Sequence, residues 1–343
     1  MRGGLASVPV PSRRAALVLL LLASLLAGCG GTTGGDRPNA DATLLLDFTP
    51  NAVHAGIYMA TSRGYDEAEG VTLTIRKPGA ATDALSLLEA GRADFAVLDI
   101  HDLALAREKG HDLVGVMAIV QRPLAAVLAT PDVKTPRGLE GRKVGVTGLP
   151  SDDAVLRSIV EGAGGDFAKV ERVTIGFNAV PALLGGRVAG ATAFWNVEGV
   201  ALSSARPGTR DFRVDAYGAP PYPELVLVTT RTRLREDPAL VNATVRALVR
   251  GYGVTVHDPA SSLNDLASRV RGLDRRALQQ QLDVLIPALS PPGGRVGGLD
   301  PQVLARWAMW EARFGIVPTP PDVRRLFDTQ VVPDSGARSD DAA

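Results

Sequence analysis

Cysteine is almost absent from this chain: of 343 residues, Cys29 alone carries a thiol. That excludes an intramolecular disulfide and a thiol-bound metal cluster. Histidine is nearly as scarce. His54, His101, His111 and His257 are scattered, without the short spacings of a metal-ligand set. Neither sign of charge is in excess, with 37 Lys and Arg against 37 Asp and Glu. Without a basic stripe, nucleic acid is not an expected partner. No Gly-x-x-x-x-Gly-Lys-Ser/Thr loop occurs, which removes ATP binding by that route. No Gly-x-Ser-x-Gly elbow occurs, which removes one common nucleophile. No repeat at a solenoid period is present. No catalytic residue, metal or cofactor is expected.

Long apolar runs are missing too, except near the start. Arg2, Arg13 and Arg14 precede an apolar run over 15–27, which reads as a secretory signal over 1–28. The run is shorter than the roughly 20 residues that cross a bilayer. Leu26-Ala27-Gly28-Cys29 resembles the bacterial lipobox. That resemblance implies a diacylglyceryl anchor at Cys29 and a place on the outer face of the cell membrane; two acyl chains hold a protein there firmly. The other reading of Cys29 is an incidental or buried thiol. Residues 29–41, rich in Gly, Thr and polar side chains, read as a flexible tether, and 333–343 as a loose polar tail.

The part between, 42–332, is large for one core. Strands are expected at 43–47, 71–76, 94–98, 113–120 and 124–129. Helices fall between them at 52–63, from the cap Thr82 to Gly91, and at 102–109. A turn cluster at 130–136 interrupts the pattern, which then restarts. Strands follow at 143–147, 171–175, 190–194, 212–215 and 225–230, with helices at 152–162 and 179–185. Ser151 is expected to cap helix 152–162, with Asp152 and Asp153 in its first turn. Asp237-Pro238, Asp274 and Asp300-Pro301 open the last helices. Such alternation argues for mostly parallel sheets with crossover helices. It divides the chain into lobe 1 (42–129 and 225–332) and an inserted lobe 2 (130–224), hinged at strands 124–129 and 225–230.

The stretch Leu46-Asp47-Phe48-Thr49-Pro50-Asn51-Ala52-Val53-His54-Ala55-Gly56 carries most of the chemistry. A strand runs into a turn that opens a helix, and a helix start offers unpaired N–H groups and partial positive charge. In two-lobed α/β proteins ligands bind at such strand ends.

This stretch, with Gly64-Tyr65 and Glu69-Gly70-Val71, resembles the start of bacterial solute-binding proteins related to thiamine-pyrimidine synthase. Their usual pattern is Asp-Trp-Thr-Pro-Asn-x-x-His-x-Gly. The resemblance continues at Gly91-Arg92-Ala93-Asp94-Phe95, from Gly148 to Asp153 and at Ala193-Phe194-Trp195-Asn196-Val197-Glu198-Gly199, and covers 43–230. It implies a type II periplasmic binding protein fold: α/β, two lobes joined by crossover strands, closing on one small molecule. It also implies a monomeric receptor that hands a small heteroaromatic solute, of the thiamine-pyrimidine kind, to an ABC permease. Carried over, the cleft is lined by Phe48, Asn51, His54, Trp195 and Glu198, with Ser151 and Asp152 at the second lobe's helix start. Two departures stand out. Phe48 replaces the usual tryptophan, and Asp99-Ile100-His101-Asp102 does not match the pyrimidine binders.

A flat ligand stacked on Trp195 would gain about 0.5–1.5 kcal/mol beyond area burial. Glu198 accepting from a ring amino group would add about 1.5–3 kcal/mol. Each residue has a plainer reading: a solvated first-turn residue for His54, inter-lobe core for Trp195, helix-start carboxylates for Glu198, Asp152 and Asp153. Trp307 and Trp310 read as packing of the last helices. Three rivals share the field: the same receptor with another cargo (an alkyl sulfonate, riboflavin or another cofactor precursor), a ligand-sensing module, and an enzyme like the fungal relatives, which use iron and a cysteine-rich segment.

Overall fold

The computed structural model describes residues 39–78, 83–290 and 293–333. The signal segment, Cys29 and most of the expected tail lie outside them. Among the described residues ten strands form two five-stranded sheets. The first holds β1 (Ala40–Leu45), β2 (Val71–Arg76), β3 (Phe95–Asp99), β4 (Leu113–Val120) and β10 (Leu225–Thr230), in the order β2-β1-β3-β10-β4. The second holds β5 (Ala125–Ala129), β6 (Lys143–Val146), β7 (Glu171–Thr174), β8 (Gly190–Phe194) and β9 (Arg210–Arg213), in the order β7-β6-β8-β5-β9. All eight residues of β4 and five of six in β10 are buried, as continuous apolar runs dictate.

Expectations about the sheets and their boundaries need correction. The sheets are mixed rather than mostly parallel: β1 pairs in parallel with β2 and β3, and β10 runs antiparallel to β3 and β4. β5 likewise runs antiparallel to β8 and β9. Strand 125–129 therefore belongs to the second sheet, and the first crossing is the short stretch 121–124. The expected tether ends early, because Ala40 already pairs with Val71. The two crossings are bound to each other: the Glu224 carboxyl accepts from the N–H groups of Leu124 and Ala125.

Six helices matter to the site: α1 (Ala55–Ser62), α2 (Ile100–Glu108), α3 (Asp152–Gly162), α4 (Pro238–His257), α5 (Arg275–Leu289) and α6 (Pro301–Arg313). The Asp side chains at 237, 274 and 300 accept from backbone N–H groups in the first turns of α4, α5 and α6. Ser151 makes no such bond at the start of α3, contrary to expectation. Gly56 lets α1 press on α4, since a Cβ there would sit 2.4 Å from the Tyr252 ring. The Tyr252 hydroxyl in turn donates to the Val53 carbonyl at 2.8 Å, which fixes the turn ahead of α1. Trp307 and Trp310 are buried on α6, as packing requires. Trp310 donates to Ser158 of α3 at 3.2 Å, and Glu311 of α6 accepts from His101 of α2, so α6 touches a helix beside each sheet.

Candidate functional site

Between the two sheets lies a cavity of about 500 Å³, bordered by the strand ends and helix starts of both lobes. That volume falls within the range of roughly 300–1,000 Å³ typical of small-molecule sites. Of the residues singled out from the sequence, Phe48, Asn51, Ser151, Asp152 and Glu198 border it; His54 and Trp195 do not.

On the first lobe, β1 delivers Asp47 and Phe48 to the edge of the cavity. Asn51 caps the next helical turn. Its Oδ1 accepts from Val53 at 2.9 Å, and its Nδ2 donates to the Thr49 carbonyl at 3.2 Å. His54 is fully buried behind this turn. Its Nδ1 accepts from the Asn51 N–H at 3.1 Å, so Nε2 carries the hydrogen and donates to Asp47 at 2.8 Å. His54 thus orients Asp47 toward the cavity instead of lining it.

On the second lobe, Asp152 is saturated. One oxygen accepts from Thr147, Gly148 and Leu149 at 2.7–3.0 Å, and the other accepts from Thr192 at 2.7 Å. It ties the loop before α3 to β8, the helix-start role rather than a free acceptor. Phe177 follows β7 and meets Phe48 where the cavity reaches solvent, with centroids 5.9 Å apart. The chain after β8 makes one π-helical turn, Trp195–Gly199, a local form often found at functional sites. Trp195 sits in core: its indole donates to the Pro123 carbonyl at 2.9 Å, and the Arg213 guanidinium lies 3.9 Å above the ring. Asn196 and Glu198, on the same turn, border the cavity. Burial pushes the Glu198 carboxyl up, against backbone hydrogen bonds at Glu198 and Phe194 that lower it.

The inner wall is acidic. Asp99, Asp102 and Glu224 border it beside His101. Burial, then Asp99, pushes Glu224 up to about 8 and Asp102 up to about 7. Burial alone would lower His101. Glu311, Asp99 and Glu224 outweigh it and hold the imidazole at about 10, an imidazolium at neutral pH. Its Nδ1 donates to Glu311 on α6 at 2.7 Å, and its Nε2 lies 3.2 Å from the Tyr222 hydroxyl. Asp99, His101 and Glu224 each place a donor atom within 4.8 Å of the others. These are the donor types of a cation site, but both imidazole nitrogens are already engaged. With Asp47, Asp152 and Glu198 the wall presents six acidic side chains, against Lys77 and an imidazolium already paired with Glu311. Asp152 is already saturated and burial raises Glu224, Asp102 and Glu198, so the wall mixes acceptors with carboxyl groups that hold protons near neutral pH, and it offers an anion little positive charge to pair with.

Reading the sequence alone missed Phe177, Asn196 and Glu224. Asn196 stood inside the Trp-Asn-x-Glu-Gly piece, and Glu224 closes the Pro-rich run 220–223. In the sequence, Asp99 to Asp102 stands out only as a departure from a pattern.

Residues 51–262 match the family described as NMT1/THI5 like. A formylaminopyrimidine-binding protein of Halalkalibacterium halodurans is 32% identical over 303 residues, which cover 86% of this chain and 92% of the relative. The riboflavin-binding protein RibY of Chloroflexus aurantiacus is 26% identical over 352 residues, covering 92% of this chain and 96% of its own. The crystal structure of the periplasmic aliphatic sulphonate binding protein SsuA from Escherichia coli matches with a TM-score of 0.67 at 17% identity, over 84% of this chain and 91% of that one. The fold is thus the two-lobed one of periplasmic binding proteins, and this chain belongs to the NMT1/THI5-like family.

Proposed function

We propose that this chain is the extracytoplasmic solute receptor of an ABC importer, and that its cargo is a small, flat, amino-bearing heteroaromatic molecule of the aminopyrimidine type. One observation carries the reading: a cavity between the lobes has an acidic wall and an aromatic ring from each lobe at its opening. A flat ring is held by Phe48 and Phe177, and its amino hydrogens meet carboxyl groups such as Glu198. The relative named for formylaminopyrimidine supports the cargo class, and the one named for riboflavin keeps a second flat heterocycle in view. An alkyl sulfonate fits poorly, because its anion would face Asp47, Asp99 and Glu198.

Binding draws the lobes together about the crossings at 121–124 and 214–224, and the closed form is what the permease accepts. No covalent step is needed. The only cysteine is Cys29, which leaves nothing for the cysteine-rich segment of the enzyme relatives. Cys29 itself, after Leu26-Ala27-Gly28, supports a lipid anchor on the outer membrane face, with the receptor acting as a monomer. Among the described residues no helix is long and apolar enough to cross a membrane.

Isothermal titration with formylaminopyrimidine and with an alkyl sulfonate tests the cargo class. Saturable binding of the pyrimidine, without conversion, is the expected result. Tight sulfonate binding with no pyrimidine binding overturns it.

A further inference from the structure

Six carboxyl side chains border the cavity, and five of them are already held. Asp152 accepts four hydrogen bonds, Asp47 accepts from His54, and Glu224 accepts from Leu124 and Ala125. Asp99 accepts from the His101 N–H and shares a hydrogen bond with Glu224. Glu198 is held by backbone groups at Glu198 and Phe194. Asp102 is the exception: among the described residues its carboxyl has no hydrogen-bond or ion-pair partner.

Asp102 is nonetheless firmly placed. It stands in the first turn of α2, directly after β3, between the buried residues His101 and Leu103. It is half-buried at the cavity rather than sealed behind it. The capping role at this helix start is already filled by Asp99, so Asp102 is not needed for it. Burial, then Asp99, keeps its proton up to about 7. A polar group partly withdrawn from water with nothing to bond is costly, and a ligand that bonds it removes the cost. Asp102 also lies in the stretch 99–102, where the chain departs from the pattern of the pyrimidine binders, so the resemblance does not supply it.

We infer that Asp102 is a specificity residue of the first lobe that reads an amidine edge of the cargo, a ring nitrogen beside an amino group. The inference rests on the aminopyrimidine reading above and names one contact within it. A carboxyl that keeps its proton sets an O–H donor beside a carbonyl acceptor. An amidine edge sets an acceptor nitrogen beside an N–H donor. The two meet in a pair of hydrogen bonds: the carboxyl O–H donates to the ring nitrogen, and the carbonyl oxygen accepts from the amino group. A ring stacked at the opening between Phe48 and Phe177 can turn that edge toward the inner wall, where Asp102 stands. An alkyl sulfonate has no donor for the carbonyl oxygen.

The test is titration of the full chain at neutral pH with formylaminopyrimidine and with its analogue in which carbon replaces the ring nitrogen next to the amino group. Wild type, Asp102→Leu and Asp102→Asn are compared, each checked for folding by its thermal melt. Both variants are expected to fold, because Asp102 holds no bond that the ligand-free chain would lose. Wild type is expected to bind the analogue about tenfold more weakly than the pyrimidine. Asp102→Leu is expected to bind the pyrimidine about tenfold more weakly or worse, and no better than the analogue. Asp102→Asn again sets a donor beside an acceptor and is expected to restore most of the affinity and of the preference. Equal wild-type binding of the two compounds, wild-type affinity in Asp102→Leu, or a preference that survives in it overturns the contact and leaves the receptor reading intact. A wild-type chain that binds neither compound overturns the cargo reading and the inference with it.

Discussion

Phe48 and Phe177 face each other across the opening between the lobes, their ring planes inclined by 48°. Each follows a strand of its own sheet, and they are 39% and 59% exposed in the ligand-free chain. So much exposed apolar surface at a cavity rim is what a stacking ligand would cover. Phe48→Ala and Phe177→Ala are each expected to weaken cargo binding by about threefold to tenfold, the worth of one aromatic contact. The melting temperature without cargo should move little, because both rings remain substantially exposed at the rim. Titration together with thermal melts reads both; lost stability at unchanged affinity would place the rings in packing instead.

His54 is expected to show the reverse pattern. Its ring is fully buried and bonds both Asn51 and Asp47. His54→Ala leaves a backbone N–H and a carboxylate without their partner, at a cost of about 2–3 kcal/mol. Denaturant unfolding should show that loss. Affinity falls only as far as Asp47 loses its orientation.

Trp195 also belongs to the frame. Trp195→Phe keeps a ring under Arg213 but removes the bond to the Pro123 carbonyl at the crossing. About 1 kcal/mol of stability should go with it. Full stability with a tenfold loss of affinity would mean that the indole touches cargo after all.

The acidic wall sets an unusual pH dependence. Glu224 and Asp102 release their protons at about 8 and about 7 in the folded chain, and near pH 4 once unfolded, the roughly ordinary carboxyl value. Between those limits the folded state binds more protons, so stability falls as pH rises. His101 adds the same sign: its ion pair with Glu311 is fully present below 6.5 and is lost as pH climbs through about 10. The ligand-free melting temperature is therefore expected to be higher near about pH 5.5 than near about pH 8.5. Glu224→Gln should flatten the slope. A melting temperature that rises over that range would contradict these proton positions.

The alternation of strands and helices was legible because it is written in hydrophobic period and local caps. Asp237-Pro238 and Asp300-Pro301 each opened the helix they announced. Strand direction was not legible. Nothing local in Leu225 to Thr230 says that it enters between β3 and β4 antiparallel to both. Nor does 125–129 reveal which sheet it joins, since both of its neighbours are distant in sequence. In the candidate site, motif spacing pointed to turns that border the cavity but not to which way each side chain points. The Trp195–Gly199 turn turns Trp195 into core and leaves Asn196 and Glu198 at the cavity. The wall made by Asp99, Asp102 and Glu224 needs two segments more than 100 residues apart in sequence.

The most direct measurement is the mass of whatever small molecule is released by denaturing the chain after purification from cells that supply its natural cargo, taken beside the intact mass of the protein. A flat amino-bearing heterocycle, released unchanged from a protein whose mass is the same with and without cargo, is the expected result. An alkyl sulfonate, or a chemically converted product, would contradict a receptor that grips such a ring between Phe48 and Phe177 without reacting with it.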